Sequence, residues 1–213
     1  VLKINSQNAA STSAALLKSA DVAIEFSRPE LAVKNILSAF DAQIPVVVGT
    51  TGWYEKLNDV KHIATERNQS FLYASNFSVG VNLFFELNKQ LAALMANHPE
   101  YAVQVQEIHH LEKLDAPSGT AISLTNDLLA LLPGKNKWVN NVPASDAEIE
   151  IESLRQKDVP GTHTVGYNSS IDRIEIKHEA HNRKGFALGA VMAAEWIIGK
   201  KGVFEMKHVL GYH

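Results

Sequence analysis

The sequence predicts an α/β protein in which a doubly wound parallel sheet is followed by an α+β region with an open, mixed or antiparallel sheet. Two patterns carry this prediction. In the first third of the 213 residues, short apolar runs alternate with helix-like stretches, which is typical of a parallel sheet covered on both faces. After about residue 78, apolar and polar residues alternate within the strand candidates, which is typical of antiparallel strands with one solvated face.

The first part of the chain contains three strand candidates that each end in a short polar or glycine-containing turn. In order, the pattern predicts a strand end at 1–4, a helix at 9–19, a strand at 21–26, a helix at 29–40, a strand at 44–48, a helix at 54–68 and a strand at 70–74. Ligands bind beyond the carboxyl ends of the strands in doubly wound sheets, and here these ends are 26–28, 49–52 and 74–77. Gly49 and Gly52 let a flat ligand approach the backbone closely. Ordinary strand-to-helix turns are the alternative interpretation.

The second part of the chain combines long helices with strands of alternating character. The pattern predicts a helix at 81–97, a strand at 101–110, a helix at 120–132, a surface loop at 135–145, antiparallel strands at 148–155, 162–167 and 171–179, and a helix at 187–198 closed by Gly199. The first of these helices carries a leucine stripe that indicates core packing or an interface. The stripe consists of Leu83, Leu87, Leu91 and Leu94.

The composition excludes several classes of protein. With 20 Lys and Arg against 23 Asp and Glu, the net charge is −3, which argues against a nucleic-acid or anionic-membrane binder because such proteins need a basic face. No apolar run approaches the roughly 20 residues of a membrane span, and no signal peptide opens the chain. The absence of cysteine excludes disulfides, thiolate nucleophiles and cysteine-ligated metals.

The densest polar segment, at 107–121, has the sequence EIHHLEKLDAPSGTA. A strand leads into His109 and His110, Lys113 follows, and Ser-Gly-Thr at 118–120 opens a helix. The first turn of a helix has backbone N–H groups without partners inside the helix, and it is the positive end of the helix dipole. This helix start therefore offers an anion site with hydroxyls alongside. Together, these groups suit a small acidic substrate that must be protonated during the reaction.

Each part of this segment also has an ordinary structural explanation. Adjacent histidines are common at solvated strand ends, and Ser-Gly-Thr before a helix is commonly only a cap. The chain has nine histidines, among them His163, His178 and His181. Zinc ligands are normally spaced by two to four residues, and no such pair is joined here by an evident third ligand. We therefore expect no metal site.

The segment at 107–121 closely resembles the signature of the dihydrodipicolinate reductase family, the 4-hydroxy-tetrahydrodipicolinate reductases of the lysine pathway. Other segments resemble family landmarks, in family order. They are EFSRPE at 25–30, VGTTG at 48–52, SNFSVGVN at 75–82, VPGTH at 159–163 and NRxxFAxGA at 182–190. The resemblance covers essentially the whole chain, and a match of this length and composition is far more specific than a lone glycine motif.

The resemblance implies a fold, a reaction and an assembly. The implied fold is a Rossmann-type dinucleotide-binding domain at 1–78 and 186–213, with a substrate-binding and oligomerisation domain at 79–185. The implied reaction is the reduction of a cyclic imine dicarboxylate, after loss of water, with NADPH or NADH as the cofactor. The family also implies a cytoplasmic enzyme of diaminopimelate and lysine biosynthesis, assembled as a homotetramer through the open sheet of the substrate domain.

The resemblance also implies roles for individual residues. His109 matches the acid–base histidine of the family and Lys113 matches its proton donor, and the sequence leaves open which of the two donates the proton. The implied substrate-binding residues are His110, Ser118, Gly119, Thr120 and Arg183. The implied cofactor-binding residues are Phe26, Arg28, Gly49, Thr50, Thr51, Ala74, Ser75, Asn76 and Phe77.

One family feature has no counterpart in these 213 residues. Family members open with a strand and a glycine-rich G-x-G-x-x-G turn that cradles the pyrophosphate, and no such motif occurs here. We expect that the first βαβ unit is missing and that residues 1–4 belong to the second strand. NAD-binding proteins carry an acid near the end of that strand. Lys3 in its place favours NADPH or dual use.

Three other functions remain as alternatives at this point. The first is another Rossmann-type dehydrogenase that acts on an amino or keto acid, and a substrate screen would distinguish it. The second is a non-catalytic dicarboxylate-binding module, which would oxidise no NAD(P)H. The third and weakest is a metal-dependent hydrolase, which the expected absence of a metal site argues against.

Overall fold

The computed structural model describes residues 1–8 and 14–212 and shows an α/β chain with two compact units. Unit 1 contains Val1–Ser78 and Phe186–His213, and unit 2 contains Val79–Gly185. In chain order, the elements are α1 (Ala14–Leu17), β1 (Ala23–Glu25), α2 (Pro29–Asp41), β2 (Val46–Val48), α3 (Leu57–Glu66), β3 (Ser70–Tyr73), α4 (Val79–Met95), β4 (Ala102–His109), α5 (Gly119–Leu131), β5 (Lys137–Asn140), β6 (Glu148–Arg155), β7 (Thr162–Asn168), β8 (Arg173–Glu179), α6 (Lys184–Ile197), β9 (Gly202–Phe204) and α7 (Met206–Val209). In the part of the chain that the structure describes, no helix has both the length and the apolar character that crossing a membrane requires.

Unit 1 is built on a four-stranded, fully parallel sheet with the order β1-β2-β3-β9. Val46 and Val48 of β2 pack with Phe71 of β3 against the helices α2 and α3. Val47 and Leu72 point to the opposite face, where they pack against α6 and α7. Successive strand residues point to opposite faces, so a continuous apolar run is what a sheet covered on both sides requires.

Most of unit 1 follows the sequence prediction. The helix α2 begins at Pro29, which fits the first turn because its missing N–H has no partner inside the helix. The strand predicted at 21–26 is shorter and only half buried, since Ile24 is 47% exposed on β1, the edge strand of the described sheet. The helix predicted at 54–68 starts with a 3-10 turn at Tyr54–Lys56 before α3.

The prediction for the first residues is wrong. Residues 1–4 lie in no strand, and Val1, Leu2 and Ile4 are exposed. A strand is held by hydrogen bonds to a neighbour, and residues 1–4 pair with no strand in the described chain, so their apolar composition is not sufficient. Of the helix predicted at 9–19, α1 occupies Ala14–Leu17, and residues 9–13 lie outside the described residues.

Unit 2 contains a five-stranded mixed sheet with the order β5-β6-β4-β7-β8. The alternate residues Val103 and Val105 of β4 and Ile149 and Ile151 of β6 face α4 and α5, and with Val165 of β7 they form one core cluster. The strands β4 and β6 bury alternate side chains against the helices, so their alternating pattern in the sequence predicts correctly which side chains enter the core. In β7, by contrast, every residue from Thr162 to Tyr167 is buried.

Two predictions for this sheet are wrong. The strand β6 is parallel to both β4 and β5, and only β7 and β8 run antiparallel to their neighbours. The chain passes through α5 and β5 before it enters β6, and such a crossover is what a parallel pair needs. The surface loop predicted at 135–145 contains the strand β5, in which Asn140 donates a side-chain hydrogen bond of 2.8 Å to the carbonyl of Ile151.

The leucine stripe of α4 is not the face that enters the core of unit 2. Leu83, Leu87 and Leu94 are exposed, and only Leu91 of the stripe packs, partly buried, against the core. The buried residues of the helix are Val81, Phe84, Asn88, Ala92 and Met95. Both sets have helical spacing, so the sequence does not choose between them. The buried set includes Asn88, whose amide donates a 3.1 Å hydrogen bond to the carbonyl of Leu124 on α5.

Candidate active site

The candidate catalytic residues of unit 2 lie on the helix-covered face of its sheet. The strand β4 ends at His109, and Glu107 points to the same face two residues earlier. The strand register places His163 of β7 opposite Glu107. The start of α5 brings in Ser118, whose hydroxyl lies 3.1 Å from Nε2 of His163. Three polar residues of the segment at 107–121 therefore meet His163 of β7 at the end of one strand.

Glu107 is a fully buried carboxylate between two basic groups. Its Oε2 lies 2.8 Å from Nδ1 of His109, although the contact lacks the alignment of a good hydrogen bond. Its Oε1 accepts a 3.3 Å hydrogen bond from Arg155. Burial raises the pKa of a carboxyl group, but His109 and nearby serine hydroxyls outweigh burial and hold the pKa of Glu107 well below its usual value. Glu107 therefore remains ionised beside the imidazole.

His163 is a buried neighbour of His109. The two rings are 5.0 Å apart between centroids and meet edge to face at 72°. Burial lowers the pKa of His163 to about 3, and the charge of His109 adds to this effect. His163 is therefore neutral at pH 7. On the other side of His109, a Cβ at Gly161 would lie 3.1 Å from Nε2, so this glycine leaves that edge of the ring uncrowded.

Past the end of β4, the polar residues of the following loop form two ion pairs. His110 lies 2.9 Å from Glu112 through Nδ1 and 2.9 Å from the guanidinium of Arg183 through Nε2. Lys113 donates hydrogen bonds of 2.8 Å to both carboxylate oxygens of Asp115. These bonds hold the pKa of Asp115 below its usual value. His110 and Arg183, which are predicted substrate-binding residues, are therefore adjacent in space.

A cavity of about 440 Å³ opens beside this loop within unit 2. Its volume is within the range of small-ligand sites, about 300–1,000 Å³. The lining residues are His110, Glu112, Asp158, Val159, Pro160 and Arg183. An imidazole and a guanidinium in one cavity provide hydrogen-bond donors for a carboxylate.

The start of α5 has the geometry of a capped helix. The hydroxyl of Ser118 accepts a 3.2 Å hydrogen bond from the amide of Ala121, and Ser118 is almost fully buried. Its hydroxyl is therefore engaged in the cap and with His163. Gly119 is exposed, with no atom within 4 Å of where a Cβ would lie. Thr120 is half-buried beside it, and the anion role of this helix start remains a prediction.

In unit 1, the register of the parallel sheet brings the three predicted cofactor-binding turns together. The carboxyl ends of β1, β2 and β3 are aligned, with Glu25 beside Val48 and Val48 beside Tyr73. The amide of Ser27 donates a 2.7 Å hydrogen bond to the hydroxyl of Thr50, which joins the first two turns. The third turn follows Tyr73. Its Asn76 accepts a 2.9 Å hydrogen bond from the amide of the next-but-one residue.

The ring of Phe26 covers the glycine of the middle turn. A Cβ on Gly49 would lie 2.2 Å from this ring, so no other residue fits there without moving it. Phe26 is 55% exposed and its ring centroid is 5.6 Å from that of Phe77, which is buried. The exposed ring of Phe26, seated on this glycine, offers a face on which a flat ring such as nicotinamide can stack. Thr51 and Arg28 are exposed at the same edge, and Ala74, Ser75 and Asn76 form its third side.

The sequence did not identify Glu107, Arg155 or His163 as parts of the catalytic cluster. The only signal for Glu107 is its spacing of two residues from His109, which puts both on one face of a strand. Arg155 gave no signal, because it is placed opposite His109 by the parallel pairing of β4 and β6. For His163, the sequence gives no signal beyond its being one of several histidines.

Three potential metal-ligating atoms lie close together in this cluster. Those of Glu107, His109 and His163 are within 4.8 Å of one another. The two oxygens of Glu107 already contact His109 and Arg155, and a guanidinium at this distance opposes the entry of a cation. The cluster is therefore explained as an ion-pair network. The absence of a metal site remains a prediction.

Comparisons with known proteins agree with this fold and these residues. Residues 2–77 match the family model described as "Dihydrodipicolinate reductase, N-terminus", and residues 80–210 match the model of its C-terminus. A 4-hydroxy-tetrahydrodipicolinate reductase of Christiangramia forsetii is 52% identical over 190 residues, which are 89% of this chain and 79% of that protein. One of Neisseria meningitidis serogroup B is 35% identical over 92% of this chain and 75% of its own length.

A solved structure supports the same fold. The dipicolinate-bound dihydrodipicolinate reductase from Paenisporosarcina sp. TG-14 superposes with a TM-score of 0.69 at 23% identity, over 88% of this chain and 73% of that one. The relatives named above are NAD(P)H-dependent oxidoreductases. Both family models match, together cover nearly every residue, and coincide with the motifs in the two units. The chain therefore belongs to the dihydrodipicolinate reductase family.

Proposed function

We propose that this chain reduces 4-hydroxy-tetrahydrodipicolinate to tetrahydrodipicolinate with NADPH or NADH, with loss of water, in diaminopimelate and lysine biosynthesis. The shared name of the relatives supplies the substrate. The structural observation that carries the proposal is the presence, within unit 2, of a cavity that contains Arg183 and His110 beside the acid–base cluster of His109 and Glu107. A dicarboxylate that must gain a proton needs both.

The cavity and the start of α5 are suited to hold the two carboxylates of the substrate. Arg183 provides a fixed fork of donors, which matches a carboxylate, and His110 lies beside it. The amides of the first turn, from Gly119 and Thr120, add an anion site at the positive end of the helix dipole. Lys113 offsets negative charge nearby, since its ammonium is part of the same loop.

His109 and Lys113 are the groups that move the proton. The reduced nicotinamide, when bound, supplies a hydride to a ring carbon of the substrate. The negative charge left on the ring must be quenched by a proton, and a positioned acid contributes about 10²–10⁴-fold to such a step. His109 has an uncrowded Nε2 and an ionised carboxylate at Nδ1. Lys113 is a second acid within the same loop region.

Unit 1 provides the residues that hold the dinucleotide in this proposal. Gly49 makes room for the ring of Phe26, and the exposed face of that ring is available for stacking with the nicotinamide. Thr50 and Thr51, together with the turn at 74–77, border the same edge of the sheet. Arg28 is exposed at the start of α2, where an anion is stabilised by the helix dipole.

The finer assignments of assembly and location are also proposals. In unit 2, both helices pack on one face of the sheet, and the other face carries polar side chains such as Gln104 and Gln106. We propose that this open face forms a homotetramer, as the resemblance implies. We also propose that the chain acts in the cytoplasm, where the substrate and cofactor of this biosynthetic step are made.

The catalytic assignment is tested on the protein expressed from its complete reading frame. His109→Ala and Lys113→Ala are each expected to lose roughly 10²–10⁴-fold in kcat with unchanged circular dichroism. His98→Ala is the control, because His98 is exposed, pairs with Glu100 and precedes the start of β4, whereas the cluster lies at its end. Oxidation of NADPH in the presence of the imine is the measurement. Near wild-type turnover in both variants would contradict the assignment, and the larger loss identifies the proton donor.

A further inference from the structure

Arg155 and Glu107 are charged groups that contact no substrate in the proposed reaction. Glu107 is fully buried and the Arg155 side chain is 21% exposed. Transferring two charged groups from water into the protein interior costs several kcal/mol. A contribution to stability therefore does not account for the presence of this ion pair. Glu107 is also shared, because one oxygen contacts His109 and the other accepts a hydrogen bond from Arg155.

Arg155 reaches from this carboxylate to the loop that carries Lys113. Its Nε donates a 3.3 Å hydrogen bond to the carbonyl of Lys113, and one terminal nitrogen donates a 2.7 Å hydrogen bond to the carbonyl of Asp115. The other terminal nitrogen donates to Glu107. A guanidinium presents its donors in a rigid, planar fork. The backbone of the loop is therefore tied to the same carboxylate that contacts His109.

We propose that Glu107 and Arg155 are positioning residues that jointly place the two acid–base groups, His109 through the carboxylate and Lys113 through the loop. This inference rests on the proposed function. It gives one ion pair two tasks, orienting the imidazole and fixing the backbone of the lysine. This double role explains why the buried carboxylate of Glu107 lies at the end of β4 in spite of its cost in desolvation.

Several charged and titratable groups face His109. On its own strand is Glu107, on β6 is Arg155, on β7 is His163, and in the loop is Lys113, which pairs with Asp115. His163 is kept neutral by burial. Glu107 is the carboxylate that contacts His109, so Glu107→Gln removes the negative charge at the imidazole while the positive charge of Arg155 remains nearby.

The experiment compares Glu107→Gln, Arg155→Met, Arg155→Lys and the double variant Glu107→Gln/Arg155→Met in the imine reductase assay. Glu107→Gln keeps the shape and removes the charge. We expect a kcat loss of roughly 10–100-fold, the range for groups that orient a functional histidine, with KM for the imine nearly unchanged. The alkaline limb of the pH–kcat profile moves to lower pH. Because both residues act through one ion pair, the double variant loses less than the product of the two single losses.

Arg155→Met is expected to lower kcat and also raise KM, since the lysine loop is released. Arg155→Lys keeps the charge but has a single point of attachment, so it restores the pH profile without restoring KM. The matched control is Arg67→Met in unit 1, which removes an exposed arginine that is ion-paired with Asp41 at 2.9 Å. This control should match the wild type in kcat, KM and pH profile.

A second readout does not depend on turnover. Nitrogen chemical shifts of the histidine rings report which ring nitrogen of His109 carries the proton, and amide shifts report on residues 113–115. We expect Glu107→Gln to change the first and Arg155→Met to change the second. If the wild type does not reduce the imine, the proposed function fails while these shifts still test the positioning. Unchanged ring shifts and an unchanged pH profile in Glu107→Gln would overturn the inference. If Glu107→Gln does not fold, the two Arg155 variants test the inference. An unchanged KM and unchanged amide shifts at 113–115 in Arg155→Met would then contradict it.

Discussion

Among single residues, His163 is a base that the fold keeps uncharged. Burial lowers its pKa from the usual 6.5 to about 3, and its Nε2 contacts the cap serine of α5. In the unfolded chain the same side chain gains a proton as the pH falls below about 6.5. The folded state does not gain this proton until pH 3, so acid favours unfolding throughout that window.

We predict that His163→Asn makes the protein less sensitive to acid between pH 6.5 and 5. A depressed folded-state pKa gives stability that is complete above pH 6.5 and is lost as the pH falls, by up to about 1.4 kcal/mol per pH unit for one group. The measurement is the free energy of unfolding in urea at pH 7 and at pH 5. Glu107 does not affect this comparison. Its pKa is lowered on folding, so its protonation changes the free energy of unfolding only below about pH 4.5, where the carboxyl of the unfolded chain gains its proton.

His98→Asn provides the control for this measurement, because His98 is exposed. His178 also has a pKa lowered by burial, and it contributes equally to the wild type and both variants. An identical loss of stability on acidification in the wild type and in His163→Asn would contradict the prediction.

The sequence identifies the residues of the site better than it identifies their neighbours. His109 and Lys113 lie in one continuous segment, so their proximity needs no tertiary information. Glu107 and Arg155 act through a contact across 48 positions. That contact depends on β6 running parallel beside β4, whereas the alternation in the sequence indicated an antiparallel strand. Strand alternation reports which side of a sheet a residue faces, but it does not report the direction of the neighbouring strand.

Among the elements, α6 approaches the turn at 74–77 within unit 1 most closely at a glycine. A Cβ at Gly189 would lie 1.7 Å from the carbonyl oxygen of Phe77, so the helix touches the backbone of the third cofactor-binding turn. Glycine inside a helix costs about 1 kcal/mol relative to alanine. The close approach is therefore the reason that a poor helix former is present at this position.

We predict that Gly189→Ala destabilises the protein by about 1–3 kcal/mol, the typical cost of overpacking, although helix propensity alone would make it stabilising. The turn at 74–77 is displaced with it, so binding of NADPH weakens as well. Urea unfolding and calorimetric titration with NADPH measure the two effects. Leu188→Ala is the control, because Leu188 is 67% exposed on the same helix. A stabilised Gly189→Ala would show that the contact is absent.

The helix α4 shows where pattern alone is insufficient at this scale. Its leucines and its buried set both recur at helical spacing, and hydrophobicity favours the leucines. The packed face is instead the one whose asparagine pairs with a carbonyl of α5. Since that partner lies on another helix, only the tertiary structure distinguishes the two faces. By contrast, α2 and α5 are predicted well because proline and serine mark their starts locally.

For the whole molecule, the net charge of −3 gives no general attraction for an anionic substrate and cofactor. Anion recognition must therefore come from local groups. In the proposed function, these are Arg183, His110, Lys113 and the start of α5 in unit 2, and Arg28 and the glycine-containing turn in unit 1. Because each unit has its own core clusters and its own polar turns, the proposal assigns the two binding tasks to separate stretches of the chain.

The open face of the unit 2 sheet leads to the last prediction. Gln104 and Gln106 of β4 donate hydrogen bonds to Glu150 and Glu152 of β6, at 3.3 and 2.6 Å. The side-chain amides of both glutamines thus have hydrogen-bond partners within the sheet. A second copy can therefore cover the face without leaving these amides buried and unpaired. Thr164 lies on β7 beside Gln106, in the middle of this face.

We predict that the wild type is a tetramer in solution, with four times the mass of one chain, which is 23.4 kDa for these 213 residues. Thr164→Arg is expected to yield smaller species. An arginine side chain is much longer than that of threonine, so at the centre of the face it keeps two identical faces from packing closely. Light scattering gives the mass, and circular dichroism checks that the fold is retained. Asn97→Arg, at an exposed position just after α4, should remain tetrameric. A folded Thr164→Arg with wild-type mass would place the assembly on another surface.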